Sequence, residues 1–266
     1  MMSNIKVAIL LTTIAGLSTG IGGLLAFFSK KRNKNFLSFT LGLSAGVMIY
    51  VSFVELFMKS CASLSEIHGE RNGTIITVMG FFFGIFLISL IDRFIPSENP
   101  DKVKNIKSPK NECDNNKKLL RTGIVTALAL GIHNFPEGMA TFISALESPL
   151  LAMPIVVAIA IHNIPEGIAV AIPVFYATEN KTKAFIYSFL SGLAEPVGAI
   201  IGYILLMPFM SPTLNSLIFS SIAGIMVFIS FDELLPTAQK YGKHHLSICG
   251  LVFGMLIMAI SLIAFI

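Results

Sequence analysis

Two hexapeptides concentrate the chemistry of this 266-residue chain: His133-Asn134-Phe135-Pro136-Glu137-Gly138 and His162-Asn163-Ile164-Pro165-Glu166-Gly167. On a helix, residues four apart share a face and lie about 6 Å apart along the axis. His133 with Glu137, and His162 with Glu166, can therefore each ligate one ion. Pro136 and Pro165 lack a backbone donor, so each should free the carbonyl four residues before it, Ile132 and Ile161, and kink its helix. Gly138 and Gly167 permit close helix approach. Imidazole nitrogen with carboxylate oxygen suits the borderline divalent ions Zn²⁺, Fe²⁺, Co²⁺, Mn²⁺ and Cd²⁺. Neither motif holds a thiolate, which disfavours monovalent copper. Neutral imidazoles and amides also make a weaker cage than four carboxylates, which suits release after capture.

Six acids fall within apolar stretches: Glu55, Glu137, Glu166, Glu195, Asp232 and Glu233. No Lys or Arg lies in a stretch core, so their partners are expected to be protons or bound cations. Glu195, followed by Pro196, is placed to add an oxygen to the doubled motif; the alternative is a protonated acid bonded to a neighbouring helix. Glu55, near one end of its stretch, and Asp232 with Glu233, near the other end of theirs, are candidates for an ion entrance and exit. Helix-end capping or hydrogen bonding between helices competes for the same three residues.

The elements that must position these groups are membrane spans. Hydrophobic residues make up 54% of the chain and charged residues only 13%, against roughly a quarter charged in a soluble domain. Near-continuous apolar stretches run at about 7–28, 36–58, 73–94, 120–143, 150–177, 182–208, 213–238 and 246–266. The expected fold is thus an all-α integral membrane protein, one transmembrane domain of eight helices. The connectors after spans one, three, five and seven hold sixteen of the nineteen Lys and Arg. Basic residues stay on the cytoplasmic side, which puts both termini outside. Both doubled motifs then lie about 15–22 Å from the outer connector, near the middle of a ~30 Å core. The connector at 96–119, rich in Lys, Asn and Pro, reads as a flexible cytoplasmic loop.

Internal similarity ties the spans together. Ala45–Met58, AGVMIYVSFVELFM, matches Ala223–Pro236, AGIMVFISFDELLP, at seven of fourteen positions, and the two hexapeptides pair spans four and five. Each pairing joins an even-numbered span to an odd one, so the partners cross the membrane in opposite directions. That is the mark of an inverted-topology repeat, common in secondary transporters.

At the doubled motif the chain resembles the ZIP (ZRT/IRT-like protein) family of divalent-metal transporters, most closely its bacterial zinc-uptake-type branch with HNxPEG in both central spans. The resemblance covers the whole chain. It implies a two-metal centre in which His133, Glu137, His162 and Glu166 form one site and Asn134, Glu137, Asn163, Glu166 and Glu195 its neighbour. It also implies entry of metal into the cytoplasm without ATP, by alternating access. A bundle of spans one, four, five and six would move against spans two, three, seven and eight, commonly in a homodimer. The His-rich cytoplasmic loop of many members is missing, since 96–119 contains no histidine.

The expected function is therefore secondary transport of divalent metal, zinc foremost, across a bacterial inner membrane, with the metal as cargo and no prosthetic group. An intramembrane dinuclear metalloenzyme is the alternative, because a His/Glu centre can lower the pKa of bound water; the HExxH arrangement of many zinc hydrolases is absent. A proton-coupled carrier of another substrate, with His133 and His162 moving protons, is a third reading. The net charge of +4 is spread between apolar segments rather than along a stripe, so nucleic acid is not an expected partner; metal ions and membrane lipid are. Cys61, Cys113 and Cys249 form no CxxC pair. Glu66, His68 and Glu70 at the outer face, and His244 and His245 at the inner face, read as solvated groups rather than metal traps.

Overall fold

The computed structural model describes residues 2–28, 33–94, 110–147, 149–206, 211–241 and 243–264; within these, some side chains, those of Pro136 and His162 among them, lie outside the described residues. All regular structure among the described residues is helical: α1 (Met2–Phe28), α2 (Lys34–Tyr50), α3 (Met58–His68), α4 (Glu70–Phe94), α5 (Lys110–Glu147), α6 (Pro149–Thr178), α7 (Lys181–Gly192), α8 (Ala194–Ile201), α9 (Pro212–Ile229), α10 (Leu235–Tyr241) and α11 (His244–Ala264). Single π-helical stretches, Val51–Phe57 and Ser230–Leu234, join α2 to α3 and α9 to α10, and a third, Gly202–Leu206, extends α8. Ends are set by local chemistry. Asn33, Asn180 and Ser211 cap α2, α7 and α9 through their side chains, and Pro212 opens α9 where its missing N–H costs nothing.

Seven of these rods are long and apolar enough to cross a membrane. The expected eighth span, α5, is long enough at 38 residues, but its polar first turns and the His/Asn/Glu residues at its middle lower its hydropathy. Residues 110–119, which composition assigns to the loop, form the first turns of α5; no Pro or Gly interrupts them, so the helix continues outward from the packed part. The remainder of the expected loop, 96–109, lies outside the described residues. Both α5 and α6 run unbroken through their prolines.

The helices sort into two bundles: α1, α5, α6, α7 and α8 pack on one another, as do α2, α3, α4, α9, α10 and α11. Glycines set the closest approaches. A methyl group built at Gly46 would lie 2.0 Å from the Leu251 carbonyl oxygen, and one at Gly224 the same 2.0 Å from that of Phe81. Gly250 and Gly254 meet the carbonyls of Phe39 and Leu43 as Gly80 and Gly84 meet those of Leu217 and Ser221. The shift that carries Ala45 to Ala223 carries Gly46, Phe39 and Leu43 onto Gly224, Leu217 and Ser221, so α2/α11 and α9/α4 are equivalent pairs. Both π stretches fall within the matched segments, and Ser52 and Ser230 each donate to the carbonyl four residues back, at 2.6 and 2.8 Å. Among the described residues, every such glycine approach lies inside one bundle or the other, none between them.

At the centre stands α6, with 82% of its most apolar window buried; α4 and α11 have 28% and lie outside. Their outward faces carry Met79, Phe82, Phe83 and Phe86, and Val252, Phe253, Leu256 and Ile260. An apolar face of that extent belongs against acyl chains.

Gly46→Ala should destabilise the detergent-purified protein by about 1–3 kcal/mol, because backbone must yield to the new methyl. Gly131→Ala, which meets nothing within 4 Å, should leave stability unchanged or raised by up to about 1 kcal/mol. Thermal unfolding followed by size-exclusion chromatography checks both.

Candidate metal centre

The two motifs meet at mid-helix. α5 supplies His133, Asn134 and Glu137, and α6 supplies Asn163 and Glu166; His162 lies on α6, its side chain outside the described residues. His133 bridges the motifs, with Nε2 3.3 Å from Glu137 Oε2 and 3.3 Å from Glu166 Oε1. His133, Asn134, Asn163, Glu166 and Glu195 are all buried. Among the described residues no three His, Cys, Asp or Glu side chains are yet arranged about one ion; the imidazole and the two carboxylates are drawn to each other instead.

Glu195 enters through a break in the sixth rod. Pro196 removes the amide that would bond to the Gly192 carbonyl. The chain therefore turns at Leu193, whose N–H reaches Phe189 O at 3.1 Å, and α8 starts afresh with Glu195 in its first turn. Asn163 Nδ2 donates to Glu195 Oε1 and to Ala15 O, the latter at 3.0 Å. Asn134 Nδ2 donates to Ser191 O at 3.4 Å. With both amide nitrogens bound to main-chain carbonyls, Asn134 Oδ1 and Asn163 Oδ1 turn away from them. These two oxygens, Glu166 Oε2 and Glu195 Oε2 are buried and accept no hydrogen bond. Buried acceptors without donors cost about 1–3 kcal/mol each, more when charged, a cost that a bound cation would relieve.

The expected close approach at Gly138 and Gly167 is present. A methyl group at Gly138 would lie 2.1 Å from Glu195 O, and one at Gly167 1.9 Å from Thr19 O. In return, Gly198 sits against Phe135 O and Gly22 against Ile164 O, both at 2.1 Å. This set reveals a match that sequence comparison does not catch: Gly16-Leu17 with Gly22 against Gly192-Leu193 with Gly198. Three identities in so short a segment do not rise above the background of an apolar helix.

The remaining candidates lie apart. Glu55 is half-buried and paired with Lys59 one turn on. Asp232 is exposed, whereas Glu233 is buried with its Oε1 3.1 Å from Arg121 Nη1. The expectation that no basic group meets a span carboxylate is corrected here: long Lys and Arg side chains reach back from rod ends. Thr122 and Thr237, whose hydroxyls are 3.4 Å apart, lie beside the Arg121 contact. Sequence reading also misses Ser44, whose hydroxyl crosses from α2 to donate to Pro165 O at 2.6 Å. A serine in an apolar helix offers no signal that its partner is a proline-motif carbonyl. Glu66, His68 and Glu70 are exposed, with His68 Nε2 3.0 Å from Thr213 Oγ1, and His244 and His245 form an exposed ring pair.

A family model described as ZIP Zinc transporter matches residues 4–119 and 97–262. The zinc transporter ZupT of Streptococcus mutans serotype c is 58% identical over 267 residues, covering 100% of both chains. The zinc transporter ZupT of Clostridium perfringens is 56% identical over 279 residues, covering 100% of this chain and 98% of its own. That of Chlorobium chlorochromatii is 56% identical over 268 residues, covering 100% of both. Matches that run through every helix carrying the centre make the chain a member of the ZIP zinc transporter family, multi-pass membrane transporters rather than enzymes.

Proposed function

We propose that this protein carries Zn²⁺ across a bacterial cell membrane into the cytoplasm as a secondary transporter. The observation that supports this most is the set of buried oxygens without donors, on Asn134, Asn163, Glu166 and Glu195, gathered around the His133 bridge between two membrane helices. His133, Glu137, His162 and Glu166 capture the partly dehydrated ion, and Asn134, Asn163 and Glu195 complete a neighbouring site. Iron, manganese, cobalt and cadmium fit the same donor set. In this reading α5 is the fourth of eight spans and both termini lie outside. The two bundles alternate access to the centre, with Glu55 near the entrance and Asp232 and Glu233 near the exit. The dinuclear hydrolase reading has no observation of its own in its favour, and the kinship to transporters weighs against it.

Reconstituted protein should move radiolabelled Zn²⁺ down its gradient into proteoliposomes. His133→Ala and Glu166→Ala should each lower the initial rate by about 100-fold, since loss even of a supporting contact at a metal site costs 10- to 100-fold. Metal that binds without crossing the bilayer would defeat the proposal.

Proton competition gives a second expectation. The ligands hold metal only when deprotonated, so protons compete with metal and zinc affinity should rise with pH. Equilibrium zinc titrations of the purified protein across a pH series measure it; an affinity that falls as pH rises would contradict the proposed donor set.

A further inference from the structure

The structure contains a counterpart to Glu195 that no reading above has used. The shift that takes Gly16 to Gly192 and Gly22 to Gly198 takes Ala15 to Ser191 and Thr19 to Glu195, and the shift between the hexapeptides takes Asn134 to Asn163. Contacts obey both. Asn163 donates to Ala15 O as Asn134 donates to Ser191 O. Gly167 meets Thr19 O as Gly138 meets Glu195 O. Gly16 and Gly192 meet each other's carbonyls, at 2.5 and 2.2 Å, so the local two-fold axis passes between them. Thr19 therefore stands toward Asn134 as Glu195 stands toward Asn163.

The Thr19 hydroxyl is also uncommitted. In a helix, threonine ordinarily donates to the carbonyl four residues back, as Thr12 does to Ala8 at 2.9 Å and Thr13 to Ile9 at 2.7 Å on this same α1. For Thr19 that carbonyl is Ala15 O, already taken by Asn163 and by the Ser18 hydroxyl. Thr19 is 0% exposed and its Oγ1 has no hydrogen-bond partner. The Asn134 Oδ1 on its side of the axis is likewise without a donor.

We infer that the Thr19 hydroxyl is a further oxygen donor of the metal centre, the neutral counterpart of the Glu195 carboxylate on the Asn134 side. The inference rests on the metal-centre reading proposed above. The two halves of the centre then share a geometry and differ by one charge, Glu195 on one side and a hydroxyl on the other.

Zinc titration of the purified full-length protein against a chromophoric chelator tests this, with size-exclusion profiles checking folding. Thr19→Val, which keeps the branched shape and removes the hydroxyl, should weaken zinc binding about tenfold, and Thr19→Ser should stay within about twofold of wild type. Glu195→Thr should weaken binding strongly. The double exchange Thr19→Glu with Glu195→Thr should restore it to within about threefold, because the axis makes the two positions interchangeable. Wild-type binding by Thr19→Val overturns the inference, as does a folded double exchange no better than Glu195→Thr alone. If the double exchange aggregates, the comparison of valine with serine decides. His133→Ala separates the two readings: binding that survives it removes the metal centre itself, whereas binding that depends on His133 and ignores Thr19 removes only this inference.

Discussion

A cluster of carboxyl groups in a low-dielectric interior is the constraint around which this protein is arranged. Glu137 and Glu166 both touch His133, and Glu195 is held to Asn163 close by. Taking even one ionised carboxylate out of water costs several kcal/mol after relaxation. An apolar core alone would expel them. They stay because their backbones are fixed by crossings too tight to rearrange, Gly138 against Glu195 and Gly167 against Thr19. In the proposed function a bound cation offsets the remaining cost.

That centre lies on an approximate two-fold axis, and the axis explains features that look separate in the chain. The π stretches Val51–Phe57 and Ser230–Leu234 fall at related positions, whereas the break at Leu193 has no counterpart in α1, which runs unbroken from Met2 to Phe28. The two asparagine side chains are held in the same orientation. Each amide nitrogen is tied to a main-chain carbonyl of the opposing helix, at Ala15 or Ser191, which leaves each carbonyl oxygen toward the interior. An aspartate could not make that bond while ionised, and would add charge to a site already short of counter-charge.

Much of this was legible in the chain itself. The spacing of His133 and Glu137, repeated at His162 and Glu166, names both the chemistry and the helix face, because ligand type and helical period are local properties. The helices follow nearly as directly: seven rods are long and apolar enough to cross a membrane, and α5 falls short because of its polar first turns and the polar residues at its middle. What local pattern does not encode is partnership across helices. Arg121 reads as part of a basic connector until its guanidinium is found on Glu233. Ser44 reads as an ordinary small residue until its hydroxyl is found on Pro165 O. The kinship of α1 with α7 and α8 rests on three residues and becomes visible only when each glycine is traced to the carbonyl it meets.

The same tracing separates the stiff parts of the molecule from the yielding ones. Inside each bundle, helices touch backbone to backbone at Gly16, Gly22, Gly46 and Gly224, where sliding by one residue would drive side chains into carbonyls. Between the bundles the described polar contacts are of another kind: Ser44 to Pro165 O, the Tyr176 hydroxyl to Asn33 O at 2.8 Å, Thr122 to Thr237, and Arg121 to Glu233. A hydrogen bond of this sort is worth about 0.5–1.5 kcal/mol net, or up to about 3 kcal/mol with a charged partner, and it can be exchanged for another as surfaces shift. Overpacked helix crossings cost comparable energy per site but have no alternative arrangement to move to. Two bodies locked within and exchangeably joined between them suit the alternating access proposed for this chain. His133, Asn134, Glu137, Asn163, Glu166 and Glu195 all belong to α5, α6 and α8 of one bundle, so in that proposal motion at the boundary carries the candidate centre whole.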